Sequence, residues 1–221
     1  MAMIQNANMI NRWAAHKVAD LIIHYDHELR TFAMRAYAPF DESHDFIHGY
    51  SVLVNALALI IPASMYYRVI FSYADLKLVA YAALLHDVID HKYVGRDGIE
   101  RPELNNWLLN HLGVNGITCM KIIDNMSWSK RLTSEKLASK DYLRELVKTA
   151  DWIEAMGETG LRRCITYTTV MRPDLRPDQI RAEVIKHINE KLIKIPDELP
   201  IKSVDYTDLL EPLIIYKNMI Q

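Results

Sequence analysis

The chain has 221 residues, half of them apolar and 24% charged, with a formal net charge of −2 and no basic block. That length buries a substantial core. The charge balance offers nothing for a nucleic-acid backbone to hold, and no apolar run approaches the roughly 20 residues of a membrane span. Seven glycines among abundant Ala, Leu, Ile and Lys favour helices over sheet. Cys119 and Cys164 form neither a CxxC pair nor a disulfide framework, and read as small core residues. With no leader pattern at the amino terminus, the expected setting is cytoplasmic.

Residues 8–38 read as one long helix or two joined ones. Trp13, Val18, Leu21, Ile22, Tyr25, Leu29, Phe32 and Met34 recur along it at helical spacing. His16, His24 and His27 lie among Asp20, Asp26 and Glu28 and read as a solvated face. Pro39 ends this segment. Asp41 or Ser43 is placed to cap a second helix over 43–61, which opens with His44, Asp45 and His48 and closes at Pro62. Offsets of three and four put those side chains on one helical face.

Ser72, with Asp75 three residues on, makes a capping box for a third helix over 73–91. This helix is apolar through Leu85 and then runs into His86-Asp87-Val88-Ile89-Asp90-His91-Lys92. Burying such groups is costly unless each has a partner. A divalent metal is one, and His and Asp are good ligands for it. Packed antiparallel, the second and third helices would bring His44, Asp45 and His48 beside His86, Asp87 and Asp90.

Gly95 and Gly98 mark the next loop. Pro102 and Glu103 suit the first turn of a fourth helix that Gly113 ends. A fifth helix covers 115–126, followed by a polar turn over 127–131 and a connection over 133–140. A sixth, long helix is expected over 141–168. Its stripe is Leu143, Leu146, Val147, Ala150, Ile153 and Met156, with Asp151 on or beside it. Glu154 reads as a partner in a local ion pair, and Gly157 and Gly160 as allowing close helix contact. A seventh helix from Pro177 to about residue 193 carries His187 and Lys191 on one face, and Pro196 and Pro200 end it. A last helix over 205–219 is expected to bend at Pro212. With no strand pattern and no repeat, an all-α single domain follows.

The ordered set His48, His86-Asp87 and Asp151 resembles the HD-domain superfamily of metal-dependent phosphohydrolases. His44-Asp45-Phe46-Ile47-His48 is similar to that family's H-D-W-x-H opening. Leu84-Leu85-His86-Asp87-Val88-Ile89-Asp90-His91-Lys92 is similar to its L-L-H-D-I-x-D-x-K segment. Met126-Ser127-Trp128-Ser129-Lys130 resembles I-S-F-S-K. Ala150-Asp151-Trp152-Ile153-Glu154-Ala155-Met156-Gly157 resembles A-D-R-L-D-A-I-G, and the segment from His187 to Lys194 resembles H-F-x-E-K-L-L-K. Order and approximate spacing hold from residue 44 to 194, most like the small bacterial-type HD hydrolases, some of which split nucleoside triphosphates into monophosphate and pyrophosphate.

The resemblance implies an HD-domain helical bundle with the site between its central helices. An N-terminal segment (1–40) would pack on the core (41–195), with a C-terminal helix (196–221) in the same domain. It implies one divalent ion (Mn, Co, Ni, Mg, Fe or Zn) held by His48, His86, Asp87 and Asp151. It further implies attack of metal-bound hydroxide on phosphorus, with Asp90 orienting or deprotonating the water. Lys92, Lys130, Arg163, His187 and Lys191 would meet a small phosphorylated substrate, a nucleotide by this likeness. His44 reads as supporting a ligand or facing substrate, and His91 equally as a surface residue. One departure stands out: the family's opening continues to an arginine where this chain has Ser51. Alternative readings are a 5′-nucleotidase, a phosphodiesterase with the same site, or a non-catalytic HD-fold nucleotide-binding protein.

Overall fold

The computed structural model describes residues 2–90, 98–126, 141–201 and 206–219, and side chains from residue 11 onward. Its elements are α1 (Ala2–Tyr25), α2 (His27–Tyr37), α3 (Phe46–Ala58), α4 (Ile60–Tyr67), α5 (Tyr73–Leu85), α6 (Arg101–Leu112), α7 (Asn115–Asp124), α8 (Asp141–Glu154), α9 (Gly157–Met171), α10 (Pro177–Glu190), α11 (Ile195–Glu198) and α12 (Glu211–Asn218). Short 3-10 turns precede α11 and α12. No strand occurs among the described residues, so the all-α expectation holds.

α3 is central, packing against α1, α5 and α8. One apolar core joins α1–α8, with Leu53, Leu78, Leu84, Leu104, Ile122 and Leu146 among its buried members. A second gathers Trp152, Met156, Val184, Ile188, Leu192 and Leu213 from the later helices. α8 contributes to both, through Ala150 and Trp152. No single helix among the described residues is long and apolar enough to cross a membrane.

Several boundaries differ from expectation for local reasons. The segment over 8–38 is two helices, divided at Asp26, whose side chain accepts the Leu29 N–H at 3.0 Å and caps α2. The stripe expected on α1 is not its buried face. Ala15 and Ala19 are buried, while Trp13, Val18, Leu21 and Tyr25 are exposed, as is Met34 on α2. His16, His24 and His27 are exposed as expected.

The N-cap of α3 is Asp45, not Asp41 or Ser43; its carboxylate accepts the N–H groups of Ile47 and His48 at 2.9 and 3.1 Å. His44 and Asp45 therefore precede the helix instead of sharing its face with His48. Pro62 does not close the segment: it lies in the first turn of α4, where a missing N–H goes unnoticed. α3 and α4 meet at a bend of 49°.

α5 begins with the expected Ser72–Asp75 capping box but ends at Leu85, six residues early. Val88 N–H donates to Leu85 and Asp90 N–H to Asp87, at 3.4 and 2.9 Å, so the chain tightens into i→i+3 bonds. α6 carries Pro102 in its first turn and ends at Gly113, whose φ is +57°, while α7 stops at Asp124. The long helix over 141–168 is broken between α8 and α9, because Gly157 adopts φ +73°. Lys191 is the C-cap of α10, its N–H still bonded to the His187 carbonyl at 3.0 Å. Pro196 lies inside α11, and Pro212 starts α12 instead of bending it. Gly95, the polar turn over 127–131, the connection over 133–140 and the expected start at 205 lie outside the described residues.

Gly160 holds the α8–α9 break closed: a Cβ there would stand 2.1 Å from the Ala155 carbonyl oxygen. We expect Gly160→Ala to cost about 1–3 kcal/mol, lowering the melting temperature by several degrees. Gly98→Ala, whose Cβ would meet nothing nearer than 3.6 Å, should change it far less. Circular dichroism melts at 222 nm check this, and equal melting points would contradict it.

Candidate metal centre

Three separate stretches deliver the central side chains. His48 sits in the first turn of α3, fixed by the Asp45 cap. His86 is the C-cap of α5, and Asp87 follows in the tight turn. Asp151 comes from α8 near the point where the two cores meet. Since α3 starts where α5 ends, the two run antiparallel, and their polar ends meet.

The two imidazoles face each other with Nε2 atoms 3.2 Å apart. Asp87 Oδ2 lies 3.3 Å from each of these nitrogens, and Asp151 Oδ1 3.5 Å from each. Donor atoms of His48, His86 and Asp87 all fall within 4.8 Å of one another, a group that could hold a metal ion. His86 Nδ1 lies 2.9 Å from the Ala83 carbonyl, which can only accept, so this nitrogen carries the proton. The neutral ring then turns its Nε2 lone pair inward, as a metal-ligating imidazole does. His48 differs: its Nδ1 is buried and meets no hydrogen-bond partner among the described residues.

This donor set fits a cation. Both imidazoles are buried, and two carboxylates converge on them. Such a gathering is costly unless a metal ion or protons sit among the groups. Without an ion the protons do so. Burial alone would lower the pKa of His86, but the charges of Asp87 and Asp151 and their hydrogen bonds raise it well above the ordinary value. Burial would raise Asp87 and Asp151, yet the His86 charge and hydrogen bonds from both imidazoles hold both carboxyls well below theirs.

A cavity of about 780 Å³ opens from this group. Its lining includes His86, Asp87 and Asp151, and also the expected Asp90, Arg163, His187 and Lys191. Arg163 Nε donates to the Ser43 carbonyl at 2.5 Å, so this guanidinium is anchored to the segment before α3. His44 lines the cavity too, its Nδ1 2.7 Å from the Ser43 hydroxyl, which bonds Asp41 in turn. Lys92, Lys130 and His91 lie outside the described residues.

The structure adds residues that sequence reasoning did not single out. Arg101, at the start of α6, lines the cavity in an ion pair with Asp124 of α7. Tyr167, Arg172 and Glu183 line it as well. No local signal marks them, because they meet only once the helices pack. Cys119 is a buried core residue as expected, whereas Cys164 lines the cavity. Glu154 is not in a local ion pair: it is buried and accepts from Asn55 Nδ2 of α3 at 3.1 Å, with the Ala150 carbonyl also near that amide at 3.4 Å.

No protein-family profile matches this chain, and no curated protein matches it. Among solved structures, the fold is similar to the crystal structure of a structural-genomics target from Lactobacillus plantarum. The TM-score is 0.59 and the identity 23%, over 87% of this chain and 91% of that one. At that identity the likeness speaks for the fold alone.

The protonation pattern sets a pH dependence for the metal-free chain. A raised His86 stabilises the fold below its unfolded pKa and loses that contribution as pH rises through the folded value. The lowered Asp87 and Asp151 stabilise it above their unfolded value and lose it as pH falls through the folded ones. From the ordinary values of about 3.9 and 6.5, the cluster contributes fully between roughly pH 4 and 6.5. We expect the urea midpoint of chelator-treated protein to fall as pH is raised beyond that window, and His86→Ala to remove the slope. An identical slope in that variant would show that His86 does not carry it.

Proposed function

We propose that this chain is a metal-dependent phosphohydrolase acting on a small phosphorylated substrate, of the HD-domain type that the sequence resembles, in a cytoplasmic setting. One observation carries the reading: two imidazoles lie within 3.5 Å of two carboxylates, and His86, Asp87 and Asp151 of this group line a cavity whose walls also include Arg101, Arg163, Arg172 and Lys191. Four donors of this kind suit a divalent first-row ion or Mg²⁺. His48, His86, Asp87 and Asp151 would hold it. When bound, it supplies Lewis acidity towards a phosphoryl oxygen and an acidified water.

The chain's own groups supply the rest. Asp90 lies three residues beyond Asp87 on the same lining, and its carboxylate takes up the proton of the attacking water. Arg163, held by the Ser43 carbonyl, offers its remaining guanidinium N–H groups to phosphate oxygens. Lys191 and His187 add donors from the far end of α10. Catalysis in phosphoryl transfer is mostly positioning and charge stabilisation, and Arg163 and Lys191 on the lining serve both. A cavity of about 780 Å³ is in the range of small-molecule sites and admits a nucleotide. A nucleoside triphosphate, split to monophosphate and pyrophosphate, is the substrate this reading favours.

We expect close to one divalent ion per chain by metal analysis, lost in His86→Ala and Asp87→Ala. Asp90→Asn should keep the ion and lose about 10²–10⁴-fold in turnover. A nucleotide screen with Mn²⁺, Co²⁺, Ni²⁺ and Mg²⁺ identifies the reaction. Pyrophosphate from a triphosphate supports the favoured substrate. Phosphate from monophosphates makes the chain a nucleotidase, and opening of a cyclic diester makes it a phosphodiesterase. Metal retention with no turnover of any phosphorylated compound would leave a nucleotide-binding protein and overturn the enzymatic reading.

A further inference from the structure

Tyr37, the last residue of α2, is buried to 2% exposure, and its hydroxyl donates to the Leu84 carbonyl at 2.9 Å. Leu84 is the penultimate residue of α5. In a continuing helix its carbonyl would receive the Val88 N–H, but that N–H donates to Leu85 instead. Tyr37 therefore occupies the carbonyl that the shortened helix leaves over. The ring is held edge-on against Phe40, with centroids 5.6 Å apart. Gly49 of α3, next to His48, completes the junction: a Cβ there would stand 2.7 Å from the Leu84 oxygen and 3.0 Å from the Tyr37 hydroxyl. One hydroxyl thus ties the end of α5, two residues before His86, to the start of α3 beside His48.

We infer that Tyr37 is a positioning residue for the metal centre: its hydroxyl stops α5 at Leu85 and so aims the Asp87 carboxylate at His48 and His86. This rests on the metal reading above. Without the hydroxyl, the Leu84 carbonyl loses a buried partner. The turn then satisfies that carbonyl with the Val88 N–H by winding on as helix, which carries Asp87 away from the two imidazoles. Lost outer contacts of this sort typically weaken metal binding 10–100-fold.

The test uses the full chain and Co²⁺ as a spectroscopic probe, without substrate. We expect the wild type to bind about one Co²⁺, and Tyr37→Phe to bind it roughly 10–100-fold more weakly with altered visible d–d bands. Tyr81→Phe is the control: its hydroxyl bonds Asp26 at 2.7 Å, away from the centre, and it should keep the wild-type affinity and bands. Unchanged affinity and bands in Tyr37→Phe overturn the inference while the metal reading stands. A wild type that binds no Co²⁺ overturns both. Amide exchange of metal-free protein reads the junction independently: exchange at Val88, whose N–H donates to Leu85 at 3.4 Å, should slow in Tyr37→Phe as that N–H passes to the freed Leu84 carbonyl, and not in Tyr81→Phe, and equal rates overturn the inference whatever the metal does. Should Tyr37→Phe fail to fold, Gly49→Ala crowds the same carbonyl with the hydroxyl retained. Its Co²⁺ affinity is expected to fall in the same direction, and a wild-type value would overturn the inference.

Discussion

Two buried imidazoles with Nε2 atoms 3.2 Å apart, met by two carboxylates, are the constraint on which this structure turns. The arrangement has no stable uncharged form. It needs a cation between its donors or protons shared among them, and the rest of the fold holds four side chains where that need arises. Charge attraction and hydrogen bonding together then outweigh desolvation for the carboxylates and for His86 alike. The same balance would fail if any donor were withdrawn, because the others would remain buried without compensation.

Holding those four groups requires three helices to meet at fixed depth, and each contact is made by a polar atom tied to backbone. Asp45 starts α3 one turn before His48. The Ala83 carbonyl orients His86 from within α5. Asn55, two turns along α3, bonds Glu154 of α8 and approaches the carbonyl of Ala150, the residue before Asp151. The apolar core supplies most of the free energy of folding, but it is tolerant of small slips. These hydrogen bonds are directional, and they set the register at which His48 faces Asp151.

Much of this was legible in the sequence where the signal was local. The Ser72–Asp75 box, Pro102 at the start of α6 and Gly113 at its end depend on neighbouring residues alone, and each holds. His86 and Asp87 stood out because ionisable groups at the end of an apolar helix need a shared explanation, whereas His48 and Asp151 joined them through the resemblance to a known motif order. What escaped is what depends on tertiary contact. The end of α5 is set by Tyr37, whose hydroxyl bonds the carbonyl of Leu84, 47 residues on. The break after Glu154 depends on Gly157 adopting a positive φ that its composition only permits. Large residues on α1 face outward because the helix packs through Ala15 and Ala19, a choice that periodicity cannot make. Arg101 and Asp124 come from different helices, and no spacing rule joins them.

The division into two apolar cores has a consequence for how this chain could change over time. His48, His86 and Asp87 stand on elements of the first core, whereas Arg163, His187 and Lys191 stand on or beside helices of the second. The cavity is the seam between them. Substitutions that repack α9, α10 and α12 shift the cationic wall without disturbing the imidazoles. On the proposed reading, a recognition half and a metal half would be free to drift at different speeds, so that a lineage exchanges one substrate for another while its metal chemistry stays as it was.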